Sequence, residues 1–203
     1  MSHLLTQLLW KVIKKMKKSL GAKNIVYPTP VFLVGSYDKN GKPNIMTVAW
    51  GGLCCSKPPC VAISIREATY TYGCIVENQA FTVNIPSEDL AKQADYAGTV
   101  SGPNVNKFEE SGLTAVKSEF VNAPYVDECP LVLECKVIHK LDLGLHTQFV
   151  GEIMDVKADN NVVDEFGVTD IEKVRPMLYA PGNQAYYKIG DCLGKAFSIG
   201  KDD

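Results

Sequence analysis

The sequence is missing the marks of the commonest catalytic machines. It contains no G-x-G-x-x-G run, no G-x-x-x-x-G-K-[ST] loop, no H-E-x-x-H pair and no G-x-S-x-G elbow. These absences argue against a doubly wound dinucleotide fold, a P-loop ATPase, a zinc protease and a serine hydrolase of the elbow type. There is no C-x-x-C, and histidine is scarce, with three in the whole chain. None of the three lies near the cysteine-rich stretch, so a paired-ligand zinc site is disfavoured and no metal ligand is expected.

What is present fits an ordinary folded domain. The chain has 203 residues, 46% hydrophobic and 22% charged, enough to bury a sizeable core. Its net charge of −2 is split unevenly. Residues 1–23 carry six lysines and no acid, which leaves −8 for the remainder. An acidic body is a poor nucleic-acid partner. The seven cysteines are odd in number and carry no disulfide-framework spacing, so they read as reduced thiols of a cytoplasmic protein.

Leu4, Leu5, Leu8, Leu9, Val12, Ile13 and Met16 recur at helical spacing among lysines. The segment is too short and too charged to span a bilayer. Residues 1–16 are therefore expected to be a basic amphipathic extension, and residues 17–203 the domain proper. A start at Met16, "MKKSLGAK", is an alternative beginning of the chain.

Strand patterns dominate the domain. "VFLVGSY" (31–37) and "NIMTVAW" (44–50) flank "DKNGKP", whose Asn40-Gly41 is a hairpin turn signal. "CVAISI" (60–65) and "FTVNI" (81–85) read as two further strands. Residues 131–157 read as a long second hairpin, rich in β-branched and aromatic side chains. Helices are expected over 67–79 and 87–98, the second with Ser87 at its cap and Gly98 at its end. Residues 99–112 read as a loop with a function or with mobility. Residues 158–203 read as strand fragments with one helical turn at "DIEKV". Short strands, few helices and no βαβ alternation predict a mainly β barrel or sandwich with inserted helices.

The stretch "WGGLCCSKPPC" poses the central chemical question. Cys54 and Cys55 are adjacent, so on an extended chain they point to opposite faces and rarely share a metal. A redox thiol pair is one reading, and packing of small residues in a loop is the favoured one. Gly51, Gly52, Cys54, Cys55 and Ser56 are small enough to let a flat ligand approach the backbone. Thr47, Ser56 and Ser64 offer hydroxyls. Arg66, followed by Thr69, Tyr70 and Thr71 at a helix start, combines a cation, hydroxyls and free N–H groups, as an anion site requires. His146 opens a strand after a glycine turn. It reads either as structural or as a substrate contact.

Taken together and in order, four stretches resemble one family. They are "VGSYDKNGKPNIMTVAWGGLCCSKPPCVAISI", "TYTYGCIVENQAFTVNIPS", "ADYAGTVSGPNVNKFEESGL" and "GLHTQFVGEI". Residues 17–195 resemble the flavin reductase-like group of FMN-binding split-barrel proteins, and within it the flavoredoxins. The resemblance implies a six-stranded antiparallel Greek-key split barrel that forms a homodimer and binds FMN. It implies that Met46, Thr47, Val48, Ala49 and Trp50 lie along the flavin ring. Cys55, Ser56, Arg66, Tyr70 and Thr71 would hold the phosphate, and Asn84 would line the site. Ser101 and Lys107 would approach the ring, and His146 would occupy the open face as the catalytic residue.

The activity implied is electron transfer by bound FMN with a redox partner protein. The alternatives are an oxidoreductase that uses NAD(P)H to reduce free flavin, and a non-redox flavin-binding module. "GLH" stands where flavin reductases commonly carry "GDH", which favours the electron carrier.

Overall fold

Period-2 alternation along the long strands gives every strand two faces, and both faces are used. A computed structural model describes residues 17–201. The amphipathic extension expected at 1–16 lies outside the described residues. In chain order the elements are β1 (Thr29–Pro30), β2 (Phe32–Tyr37), β3 (Pro43–Val48), β4 (Gly51–Ser56), β5 (Pro59–Ile65), α1 (Tyr70–Asn78) and β6 (Ala80–Ile85). A 3-10 turn, Glu88–Leu90, leads into α2 (Ala91–Thr99) and then α3 (Lys107–Ser111). The chain continues through β7 (Ala115–Lys117), β8 (Pro124–Val126), β9 (Leu131–Asp142) and β10 (Thr147–Ala158). It ends in α4 (Ile171–Val174), β11 (Met177–Ala180) and β12 (Ala185–Lys188).

Seven strands form one antiparallel sheet in the order β3-β2-β6-β9-β10-β5-β4. The sheet curls until β3 approaches β5, near its opposite edge. There Ser64 N–H donates to the Trp50 carbonyl at 2.8 Å. Phe32, Val34, Ile63, Phe81, Val83 and Phe149 pack inside the curl. Leu33, Ile45, Val126 and Val132 face the other way, under α2, α3 and β11, with Ala94, Ala97, Phe108 and Met177. Phe32, Leu33 and Val34 thus alternate between two cores along a single strand. A smaller sheet, β1-β11-β12, closes one end.

The expected six-stranded barrel has seven strands. Residues 51–56, read as a small-residue loop, form the edge strand β4. The turn at Lys57-Pro58 returns the chain antiparallel to β4, and pairing with β5 outweighs the weak strand preference of Gly51 and Gly52. The 99–112 loop is also shorter than expected, because Lys107–Ser111 is helical. Ser87 occupies the cap position with extended backbone, but its side chain makes no cap bond. The Asn40-Gly41 turn forms as expected: Gly41 has φ +77° and the Asp38 carboxylate accepts from the N–H of both Asn40 and Lys42.

Candidate functional site

Where the curled sheet meets the small sheet lies a cavity of about 1090 Å³. The end of β3 and the residues after it form one wall, with Met46, Thr47, Val48, Ala49 and Trp50 all lining it. Five consecutive residues can line one wall only if backbone as well as side chains faces the space, since alternate side chains point apart. Val48 is buried and Trp50 is partly exposed at the mouth.

Arg66 and Thr69, between β5 and α1, also line the cavity. Thr69 caps α1 with extended backbone, but its hydroxyl donates to Arg66 O at 2.8 Å and makes no cap bond to the helix. The first turn of α1 holds no acidic residue. The helix therefore offers uncapped N–H groups and the positive end of its dipole beside a guanidinium, a donor set that matches a phosphate.

The facing wall comes from elements that the sequence reading passed over. Asp95, Gly98 and Thr99 of α2 line it, with Tyr179, Gln184 and Tyr186 from the small sheet. The Thr47 hydroxyl donates to Ala94 O and fixes α2 against β3. A Cβ on Gly98 would come to 3.2 Å from Thr47 Cβ, so glycine permits this close packing. Tyr186 donates to Asp95 Oδ1 at 3.1 Å; burial, then this bond, pushes the phenol up to about 12. It stays a neutral donor. The signal for this wall was the tyrosine-rich pair "MLYA" and "AYYK", which reads as strand fragments until the fold places it.

At the mouth, His146 and Trp50 are stacked, with ring planes 5° apart and centroids 6.2 Å apart. His146, Leu145 and Trp50 all line the cavity. The candidate at the strand start is thus brought to the site.

Several other candidates are not. Cys55 and Ser56 lie exposed on β4 and away from the cavity wall, so neither Cys54 nor Cys55 serves as buried packing. Asn84 faces the outer core: its amide donates to Leu33 O at 2.7 Å, and its Oδ1 accepts from Val126 N–H at 2.8 Å. Thr71 is buried, with its Oγ1 accepting from the Asn44 amide at 2.9 Å. Tyr70 donates to Asp38 Oδ2 at 2.9 Å, tying α1 to the β2–β3 turn. Ser101 is exposed in the connection after α2. Lys107 is buried and donates to Ala97 O at 2.7 Å, at the C-terminal end of α2. Burial alone holds its ammonium down at about 8. In the cases of Asn84, Thr71, Tyr70 and Lys107 a hydrogen bond uses the polar group to fasten two segments together.

Among the described residues no group of three or more His, Cys, Asp or Glu is placed to hold a metal ion. No helix among them is long and apolar enough to cross a membrane.

The curled antiparallel sheet with a cavity at its end defines a split-barrel protein. Residues 24–188 match the flavin reductase like domain family, and the chain belongs to that family. It is similar to the solved flavoredoxin of Desulfovibrio vulgaris (Miyazaki F), at 54% identity and TM-score 0.87, over 91% of this chain and 100% of that one. It is also similar to flavoredoxin from Methanosarcina acetivorans, at 34% identity and TM-score 0.85, over 92% and 98%. An uncharacterized protein of Archaeoglobus fulgidus is 38% identical over 131 residues, 64% of this chain and 73% of its own.

Proposed function

We propose that the cavity holds FMN and that the protein is an electron-transferring flavoprotein of the flavoredoxin type. One observation carries the reading: the Met46–Trp50 stretch lines one cavity together with a phosphate-type donor set, Arg66 and the start of α1, and with the stacked Trp50 and His146. FMN, when bound, supplies the one- and two-electron chemistry.

The residues of this chain bind and orient. Arg66 and the uncapped N–H groups of α1 take the phosphate charge. The Met46–Trp50 backbone aligns the ring, and its N–H groups favour negative charge developing there. Tyr186, kept neutral, donates a hydrogen bond within the facing wall. His146 stands at the mouth, where an electron donor reaches the site.

The chain is of the oxidoreductase type. A second reading, turnover of NAD(P)H with release of reduced flavin, is favoured by the open mouth, where Trp50 is 40% exposed and Leu145 67%. Ile138, Leu141, Leu143 and Leu145 crowd the exposed end of the β9–β10 hairpin. A second copy of the chain covers this apolar edge in the proposed homodimer. All seven cysteines are unpaired, in keeping with a reducing cytoplasm.

The test is the visible spectrum of the purified protein before and after anaerobic NADH or NADPH. Flavin bands that survive gel filtration and persist with nicotinamide support the electron carrier. Rapid bleaching, or bands seen only with added flavin, supports the reductase. Absence of flavin binding in titration overturns both.

A further inference from the structure

The edge hairpin β4–β5 carries three of the seven cysteines outside the cavity. Register pairs Cys55 of β4 directly with Cys60 of β5, beside a bulge between Leu53 and Cys55. Residues directly opposite in an antiparallel pair have Cα atoms about 4.5 or 5.5 Å apart, depending on the hydrogen-bonding site. Both spacings fall within the roughly 4.4–6.8 Å that a disulfide spans. Cys55 is exposed, and Cys60 is 2% exposed beneath the turn, its Sγ 3.4 Å from Pro58 O. The two thiols therefore differ in access while sharing one register position.

We propose that Cys55 and Cys60 form a reversible thiol–disulfide couple, a redox site separate from the cavity, whose oxidants are low-molecular-weight disulfides. Cys55, as thiolate, attacks one sulfur of the oxidant and one thiolate leaves. Cys60 loses its proton to solvent and attacks the Cys55 sulfur of the mixed disulfide, and the second thiolate leaves. Two S–H bonds are lost and one Sγ–Sγ bond forms, while the oxidant is reduced to two thiols.

The environment assigns the roles. Burial, then the neighbouring Cys55 and Cys54 thiols and Glu152, push the Cys60 thiol up. Glu152 sits opposite Cys60 on β10, so Cys60 has a carboxylate on one side and Cys55 on the other. Cys60 is thus the resolving thiol, drawn in only once Cys55 is capped. Oxidation would staple the hairpin that continues from Trp50. The couple does not depend on flavin being bound.

The test uses the full chain, reduced and freed of reductant, then exposed to oxidised glutathione and quenched with N-ethylmaleimide. Intact and fragment masses are read. The parent should lose two hydrogens and two alkylation sites, mapped to Cys55 and Cys60. Cys54→Ala should behave as the parent. Cys60→Ser should stop at a glutathione adduct on Cys55, and Cys55→Ala should form no internal bond within 54–60. The exposed Cys55 variant keeps the test valid if Cys60→Ser fails to fold. A bond that persists in Cys60→Ser and vanishes in Cys54→Ala would assign the vicinal pair and overturn the proposal. So would the absence of any internal bond in the parent.

Discussion

Trp50 and His146 lie parallel, 5° apart in plane and 6.2 Å between centroids, although 96 positions separate them in the chain. The sheet sets their approach. Thr147 pairs with Ile65 in the β10–β5 register, and Ser64 N–H holds the Trp50 carbonyl at 2.8 Å. Both side chains are therefore delivered to the cavity mouth by backbone pairing.

Trp50 should report the ligand. FMN titration is expected to quench its emission, and Trp50→Phe to remove most of that quench. The check is a fluorescence titration of both proteins; unchanged quenching in Trp50→Phe would place the flavin elsewhere. His146→Ala should leave FMN affinity within about threefold but slow reduction by about tenfold, because a mouth residue acts on electron entry more than on binding. Stopped-flow absorbance separates the two effects.

Arg66→Ala should weaken FMN binding by about ten- to a hundredfold, as a hydrogen bond to a charged group is worth about 1.5–3 kcal/mol. Riboflavin, which lacks the phosphate, should bind both proteins alike. An equal loss for both ligands would mean that Arg66 shapes the cavity and does not read the phosphate.

The strands and hairpins were legible because their signals are local. Asn40-Gly41 specifies its turn, and β9 and β10 are each twelve residues long and rich in β-branched and other apolar side chains. The Met46–Trp50 wall was expected only through the family resemblance, whereas Arg66 before a helix start was legible from residue type and placement. β4 was not legible, since its pairing with β5 overrides a composition of glycine and cysteine. Nor were the partners of Asn84, Thr71 and Lys107, which are carbonyls, amides and N–H groups brought in from distant segments. A polar residue in a motif looks the same in sequence whether it meets a ligand or another strand. The Tyr179 and Tyr186 wall depends on a small sheet whose strand β1 is two residues long and carries almost no pattern.

Glu134 is fully buried, and its two oxygens accept from Glu119 N–H at 3.3 Å and Phe120 N–H at 2.8 Å. Lys157 approaches it at 3.3 Å. Glu134→Ala leaves both N–H groups unpaired. Lys157 keeps Asp155 at 2.7 Å and remains partly solvated, so the loss should sit at the lower end for a broken buried pair, about 3 kcal/mol. Thermal unfolding should show a fall of roughly 6–12 °C for a chain this size. A shift below the resolution of the melt would mean that the 118–120 segment is held by other contacts.

Lys107 gives the protein an alkaline signature whose sign is opposite to that of its cysteines. Its folded pKa is lowered from 10.5 to about 8 by burial, so between these values the unfolded chain holds a proton that the folded chain has released. Stability from this group therefore rises with pH across that window, and the penalty is fully present below about 8. At about 1.4 kcal/mol per unit, complete relief is roughly 3 kcal/mol. Cys129 and Cys135, whose thiols burial pushes up, act the other way, because the folded state keeps protons that the unfolded state loses. The net curve mixes these effects, so the difference between the parent and Lys107→Met is the quantity to measure. Urea unfolding from pH 7 to 10.5 should show Lys107→Met relatively most stable at pH 7, with its advantage shrinking as pH rises. A constant difference would mean that Lys107 stays charged in the folded protein as it does in the unfolded chain, and that its bond to the Ala97 carbonyl sets its contribution alone.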